Sequence, residues 1–112
     1  MSYNTDGIYQ VKTPFGVYEC TIELTKYANN NNLAVRLNTP EEPFASLTVN
    51  LGEILPEDEA YIDTNNNPWA EDFLKEYNLG EYMNRDGRSG YCTYPLYKID
   101  IQKIRINNKI ED

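Results

Sequence analysis

Alternation of apolar and polar residues limits the first half of the chain to a β-rich fold. Residues 17–27 (VYECTIELTKY) place apolar side chains at every second position, namely Tyr18, Cys20, Ile22 and Leu24. A period of two puts such side chains on one face of a strand. Residues 7–12 (GIYQVK) are also rich in strand-forming residues, and TPFG between the two segments has the proline and glycine of a turn. The sequence therefore predicts an N-terminal β-hairpin.

Two further strands are predicted immediately downstream. The tract ANNNN at 28–32 indicates a loop, because asparagine tolerates left-handed backbone and has low strand propensity. Residues 33–39 (LAVRLNT) and 44–51 (FASLTVNL) alternate again, with TPEEP between them. Four consecutive strands joined by short loops predict an antiparallel meander.

The period changes in the middle of the chain. Trp69, Phe73 and Tyr77 recur at intervals of four residues, which is typical of one face of a helix. Asn67 is placed as its N-cap and Pro68 as its first residue, and Gly80 ends the segment. We expect one helix of about ten residues, with Trp69 and Phe73 among the most buried side chains.

A final strand, or pair of strands, is predicted from Tyr91 to Ile106, with a bulge near Gln102 and Lys103 where the apolar parity shifts.

The expected fold class is α+β: a twisted antiparallel sheet of five to six strands with one helix packed on a face. A chain of 112 residues is one domain's worth. We therefore predict a single domain over residues 1–112, with an ordered core of about 7–106.

Negative charge is concentrated in the same middle segment. The chain has a formal net charge of −8, and the segment from Glu41 to Glu81 contains eleven acids against one base, Lys75. Such a field disfavours direct nucleic-acid binding and attracts a basic protein surface. The alternative is that acidity only keeps a small protein soluble. The residues predicted to bind a basic partner are Glu57, Asp58, Glu59, Glu71, Asp72 and Glu76.

The sequence offers little for catalysis. It contains no histidine, which removes the commonest general base and the Ser-His and Cys-His pairs. Cys20 and Cys92 are interpreted as small buried residues on strands. We expect no enzymatic activity, no cofactor and no metal.

A second hypothesis concerns the stretch NRDGRSGYCTYPLY at 84–97. Arg85 and Arg88 could hold a phosphate or carboxylate, with Ser89 beside them, if residues 84–91 form a loop. The chain would then be a binding module for a nucleotide or another small anion.

Neither export nor membrane insertion is predicted. The first residues, MSYNTDGIYQ, lack a basic start followed by an apolar run, and nowhere do about eighteen consecutive apolar residues occur. The expected location is the cytoplasm, which the resemblance below narrows to that of a bacterial host cell. Exposed edge strands on a small sheet are compatible with a homodimer.

Five segments together resemble a known family: PFGVYEC, NLAVRL, PFASLTVNL, AYIDTNNNPWAEDF and SGYCTYPLYKID. The chain is similar over about residues 7–101 to small single-domain proteins of unknown function from phages, plasmids and other bacterial mobile elements. The DTNN and CTYPLY segments are the most specific marks. Some members resemble anti-CRISPR proteins that inhibit type II effector nucleases. The resemblance thus implies an inhibitor of a bacterial defence nuclease, or alternatively an accessory structural protein, and it implies no catalytic residues.

Overall fold

The predicted meander is confirmed. In the computed structural model, which describes residues 7–108, four strands follow one another as an antiparallel sheet in the order β1-β2-β3-β4. Pro14 and Phe15 form the turn of the first hairpin, where Thr13 lies opposite Gly16. The strand bounds are β1 Tyr9–Thr13, β2 Gly16–Lys26, β3 Leu33–Asn38 and β4 Pro43–Ser46.

The remaining strands form a second antiparallel sheet of four, so the α+β class is confirmed with two sheets in place of one. Its order is β5-β6-β8-β7. Leu47 joins the two sheets: its N–H donates to the Val35 carbonyl at 2.9 Å, and its carbonyl accepts from the Asp63 N–H at 2.8 Å. The strand bounds are β5 Thr48–Val49, β6 Glu59–Ile62, β7 Gly80–Ser89 and β8 Cys92–Ile99.

The predicted helix is present but shorter than expected. Helix α1 spans Ala70–Glu76, and Trp69 takes the N-cap position without a side-chain hydrogen bond. The prediction that Asn67 caps this helix is wrong, because the Asn67 amide donates to the Ser46 carbonyl of β4 at 2.7 Å. The Asn67 side chain therefore links the loop before α1 to the first sheet by a hydrogen bond.

The predicted strand through Ile106 is also wrong beyond Ile99. Residues Ile101–Asn108 form a second helix, α2. Its first turn is capped by Asp100, whose carboxylate accepts from the Lys103 N–H at 3.0 Å. The change of apolar parity in the sequence marks this strand-to-helix transition, since Ile101 and Ile104 are one helical turn apart.

The main core lies between the sheets and the helices. Phe73 is 3% exposed, as predicted, whereas Trp69 is only partly buried at the start of α1. The Trp69 ring lies beside Phe44, with 6.1 Å between ring centroids. The fully buried members include Tyr9, Val11, Leu37, Leu47, Ile62, Leu74, Leu79, Tyr97 and Ile104.

A smaller cluster covers the other face of the second sheet. Tyr61, Tyr94 and Leu96 are buried there beneath Leu51 and Leu55 of the segment between β5 and β6. The second sheet is consequently apolar on both faces. We call the face that carries Tyr97 and packs in the main core the inner face, and the face that carries Tyr61 and the smaller cluster the outer face. No helix within residues 7–108 is long and apolar enough to cross a membrane.

Candidate functional site

A groove of about 950 Å³ lies between the end of β2, the second sheet and α2. Apolar residues such as Leu24 and Ile99 contribute to its lining. Its charged lining residues are Glu57, Asp58, Glu81 and Asp100, together with Lys26, Lys98 and Arg105. We call this surface the acidic groove, because four carboxylates line it against three basic groups.

Strand register explains why carboxylates gather here. Lys98 of β8 lies opposite Glu59 of β6 on one side and opposite Glu81 of β7 on the other. Directly opposed residues project from the same face of a sheet. The Asp58 carboxylate lies 4.0 Å from the Lys98 ammonium. A single lysine thus stands among three acids, which leaves negative charge for a basic group from outside.

The predicted acids on helix α1 lie over the opposite face. Glu71 accepts a 2.6 Å hydrogen bond from the hydroxyl of Tyr97, an inner-face residue. Glu76 forms a 3.1 Å ion pair with Lys12 of β1. Asp72 is exposed, and no hydrogen bond or ion pair of its side chain occurs within residues 7–108. Two of the three helix acids therefore serve internal contacts.

The six acids predicted to bind a partner consequently do not form one surface. Glu57, Asp58 and Glu59 lie at the groove and on the outer face, whereas Glu71, Asp72 and Glu76 belong to α1 on the inner-face side. The charge excess itself remains at the surface. Residues 7–108 contain fifteen acids and nine bases, and only three ion pairs form among them. Twelve carboxylates therefore have no basic partner within 4.0 Å in the described part.

The residues of the alternative site are placed differently from the prediction. Residues 84–89 are not a loop but part of strand β7, and only Gly90 and Tyr91 form the turn to β8. Arg85 forms an ion pair with Glu53. Arg88 lies opposite Thr93 and follows Gly87, which is paired with the outer-face residue Tyr94. Because successive residues of a strand point to opposite faces, the Arg88 side chain projects from the inner face. The structure does not bring the two guanidinium groups together.

Arg85 belongs to a network on the outer face that sequence reasoning missed. The Glu53 carboxylate accepts from Arg85 and, at 2.6 Å, from the Tyr61 hydroxyl. Arg85 first and Tyr61 second hold the pKa of Glu53 below its ordinary value. Burial raises the pKa of Tyr61, and the bond to Glu53 raises it further. No local motif links these residues, since Glu53 and Arg85 are separated by 32 positions.

Gly87 allows this network to pack. A Cβ atom at position 87 would lie 2.6 Å from Tyr61 Cε1 and 2.7 Å from Leu51 Cδ1. Both distances are far below van der Waals contact. The strand can cross the Tyr61 ring only because residue 87 has no side chain.

The two cysteines are free thiols. Cys20 is buried in the first sheet, and burial raises the pKa of its thiol to about 11, so it is a poor nucleophile near neutral pH. Cys92 is half-buried at the start of β8. Among residues 7–108, no group of three cysteine or acidic side chains is placed to hold a metal ion.

Comparisons with known proteins identify the family. No curated protein and no solved structure matches the chain. The model of a protein family, described as a domain of unknown function (DUF4313), matches residues 21–110. This range runs from within β2 past the end of α2 and contains both the DTNN and the CTYPLY segments. The chain therefore belongs to the DUF4313 family, a domain of unknown function.

Proposed function

We propose that the chain is a non-enzymatic inhibitor that binds the basic nucleic-acid-binding surface of a bacterial defence nuclease, such as a CRISPR effector, through the acidic groove. The observation that carries the proposal is the row Glu59, Lys98 and Glu81, with Asp58 beside it, at the edge of the groove. The resemblance to mobile-element proteins supplies the expected setting, the cytoplasm of a bacterial host.

The chemistry favours a basic protein over a nucleic acid. Unpaired carboxylates repel phosphates and attract lysine and arginine side chains, which nucleic-acid-binding surfaces carry in excess. Bidentate contacts between arginine and carboxylate add orientation to this attraction. An acidic protein held on such a surface excludes the nucleic acid from it.

Cleavage and binding assays with a purified type II nuclease test the proposal. The groove variant carries Glu57→Gln, Asp58→Asn and Glu59→Gln. We expect it to associate about tenfold more slowly at low ionic strength, because it loses part of the steering charge. The difference should shrink at high ionic strength, where exposed charges are screened.

A matched control separates the groove from general acidity. The control variant carries Glu41→Gln, Glu42→Gln and Asp72→Asn, which removes the same number of charges at exposed sites outside the groove. It should bind and inhibit nearly as the unmodified chain does. Equal weakening by both variants would show that only net charge matters. A chain that neither binds the nuclease nor slows cleavage would refute the proposal for that nuclease.

A further inference from the structure

Three of the four sheet edges in the described part of the chain are short or partly occupied by a side chain. The outer edge of the five-residue strand β1 is occupied at Gln10, whose N–H donates to the Tyr77 hydroxyl at 2.8 Å. The end of the four-residue strand β4 is occupied by Asn67, which donates to the Ser46 carbonyl. The β5 edge is only two residues long. These features leave little backbone for another strand to pair with.

Strand β7 differs from these three edges. It has ten residues, β8 is its only neighbour in the sheet, and none of its residues is buried. An irregularity between Tyr82 and Asp86, with Asn84 at φ 59°, interrupts its pairing with β8. Beyond it, Asp86–Ser89 pairs regularly with β8 as far as the turn. The regular edge available to another chain is therefore Asp86–Ser89.

The hairpin fixes which backbone groups of this edge point outward. Ser89 and Cys92 flank a two-residue turn, so they exchange both of their hydrogen bonds. The pattern alternates along the strand, so Gly87 also bonds to β8, while the N–H and C=O groups of Arg88 and Asp86 face solvent. Pro95 agrees with this phase: it lies opposite Asp86 and has no N–H to donate.

We propose that residues 86–88 pair antiparallel with the same residues of a second copy of the chain, about a two-fold axis at Gly87. In this register Asp86 lies opposite Arg88 of the other copy, and Arg88 lies opposite its Asp86. The N–H and C=O groups of Asp86 and Arg88, which do not bond to β8, then form hydrogen bonds between the two copies. Both cross-strand pairs join opposite charges on one face of the joined sheet.

Charge selects this register over its neighbours. The same backbone phase would allow a two-fold axis at Asp86 or at Arg88, but each would place like charges directly opposite each other. The Asp86 carboxylate can accept a second bond, because the Tyr82 hydroxyl occupies only Oδ1, at 2.8 Å. Arg88 is exposed and forms no ion pair within residues 7–108. Both partners are thus available.

Charge reversal tests the register. Sedimentation over a concentration series at low ionic strength should show a concentration-dependent dimer of the unmodified chain. Asp86→Arg alone, or Arg88→Asp alone, should weaken that dimer about tenfold or more, because each places two like-charged pairs in the interface. A mixture of the two variants should form a heterodimer, since every pair in it is again opposite in charge. Arg105→Asp on α2 is the control for net charge and should not affect dimerisation.

Two outcomes would overturn the proposal: a chain that stays monomeric up to about millimolar concentration, or a mixture that associates no better than either variant alone.

Amide hydrogen exchange of the unmodified chain gives a readout that needs no variant. The amides of Asp86 and Arg88 should become protected as protein concentration rises, whereas those of Gly87 and Ser89 should be protected at every concentration. Unchanged exchange at Asp86 and Arg88 would also refute the pairing. None of the acids in the groove variant takes part, so this proposal and the proposed function fail separately.

Discussion

The hydroxyl of Tyr97, on the inner face of β8, donates a 2.6 Å hydrogen bond to Glu71 Oε2 in the first turn of α1. This hydrogen bond links strand β8 of the second sheet to helix α1. Burial raises the pKa of Tyr97, and the bond to Glu71 adds to the rise. Glu71 therefore has a structural role, which distinguishes it from the exposed acids nearby.

Removing this hydroxyl should destabilise the fold. Tyr97→Phe leaves the buried ring in place but deprives Glu71 of its donor, so we expect a loss of about 1–3 kcal/mol in the free energy of unfolding. Urea denaturation measures the change. Tyr91→Phe is the matched control, because Tyr91 is fully exposed in the β7–β8 turn and should lose almost nothing. Equal stability of the Tyr97 variant and the unmodified chain would contradict the role of this bond.

Alkaline pH should destabilise the protein. Burial raises the pKa of Tyr9, Tyr61 and Tyr97 above the ordinary value of 10.0, so the unfolded chain loses these protons first. The stabilisation is complete below about pH 10 and is lost as the pH rises further. Cys20 should add a loss from about pH 9, because its folded pKa is also raised.

Urea unfolding at a series of pH values tests this dependence. With no histidine in the chain, stability should change little between about pH 6 and 8. The decline above about pH 10 should be shallower for Tyr97→Phe, which removes one of the titrating groups. A stability that stays constant up to about pH 11 would contradict the prediction.

Position 87 should reject even the smallest side chain. Gly87→Ala places a Cβ atom within 2.7 Å of both Tyr61 and Leu51, so the strand or the ring must move. We expect a loss of about 1–3 kcal/mol, measured by thermal or urea unfolding. Ser89→Ala, two residues along the same strand and exposed, is the control and should change stability little. If both variants are equally stable, the close approach of β7 to Tyr61 is not as described.

The two large aromatic residues at α1 should differ in their contributions. Phe73→Ala removes a side chain that is 3% exposed and should cost about 3–5 kcal/mol. Trp69→Ala removes a partly buried ring that lies beside Phe44, so its cost should be smaller, about 1–3 kcal/mol. Parallel urea titrations of both variants give the comparison. A larger loss for Trp69→Ala would reverse the order that the burial predicts.

Local signals explain which parts of the fold could be predicted. The first hairpin and the meander follow from alternation along each strand and from the turn residues Pro14 and Gly16, all of which are signals between residues close together in the chain. Strand β7 (GEYMNRDGRS) has no such alternation and contains two glycines, so the sequence predicts a loop at residues 84–91, where the second half of this strand lies. Its strand conformation comes from pairing with β8, which is visible only in three dimensions.

Only part of the candidate site is visible from the sequence. The acidic character of residues 41–81 is visible from composition, but its division between two sides of the second sheet depends on the register of β6 with β8 and on the side on which α1 packs. Leu47 is another example, since its bonds to Val35 and Asp63 turn the chain from one sheet to the other without any turn motif. Contacts between residues far apart in sequence decided each of these features.

The first strand and the last helix are fastened to each other. The Asn107 amide donates to the Tyr9 hydroxyl at 2.8 Å across 98 positions, and the Asn108 amide donates to the Ile22 carbonyl. At synthesis rates of about 5–20 residues per second, Tyr9 leaves the ribosome roughly 5–20 s before Asn107. The early hairpin must wait that long for the helix that covers it. Until then the apolar face of the hairpin lacks this cover, and the acidic segment made in between gives each nascent copy a negative charge, which opposes contact between copies.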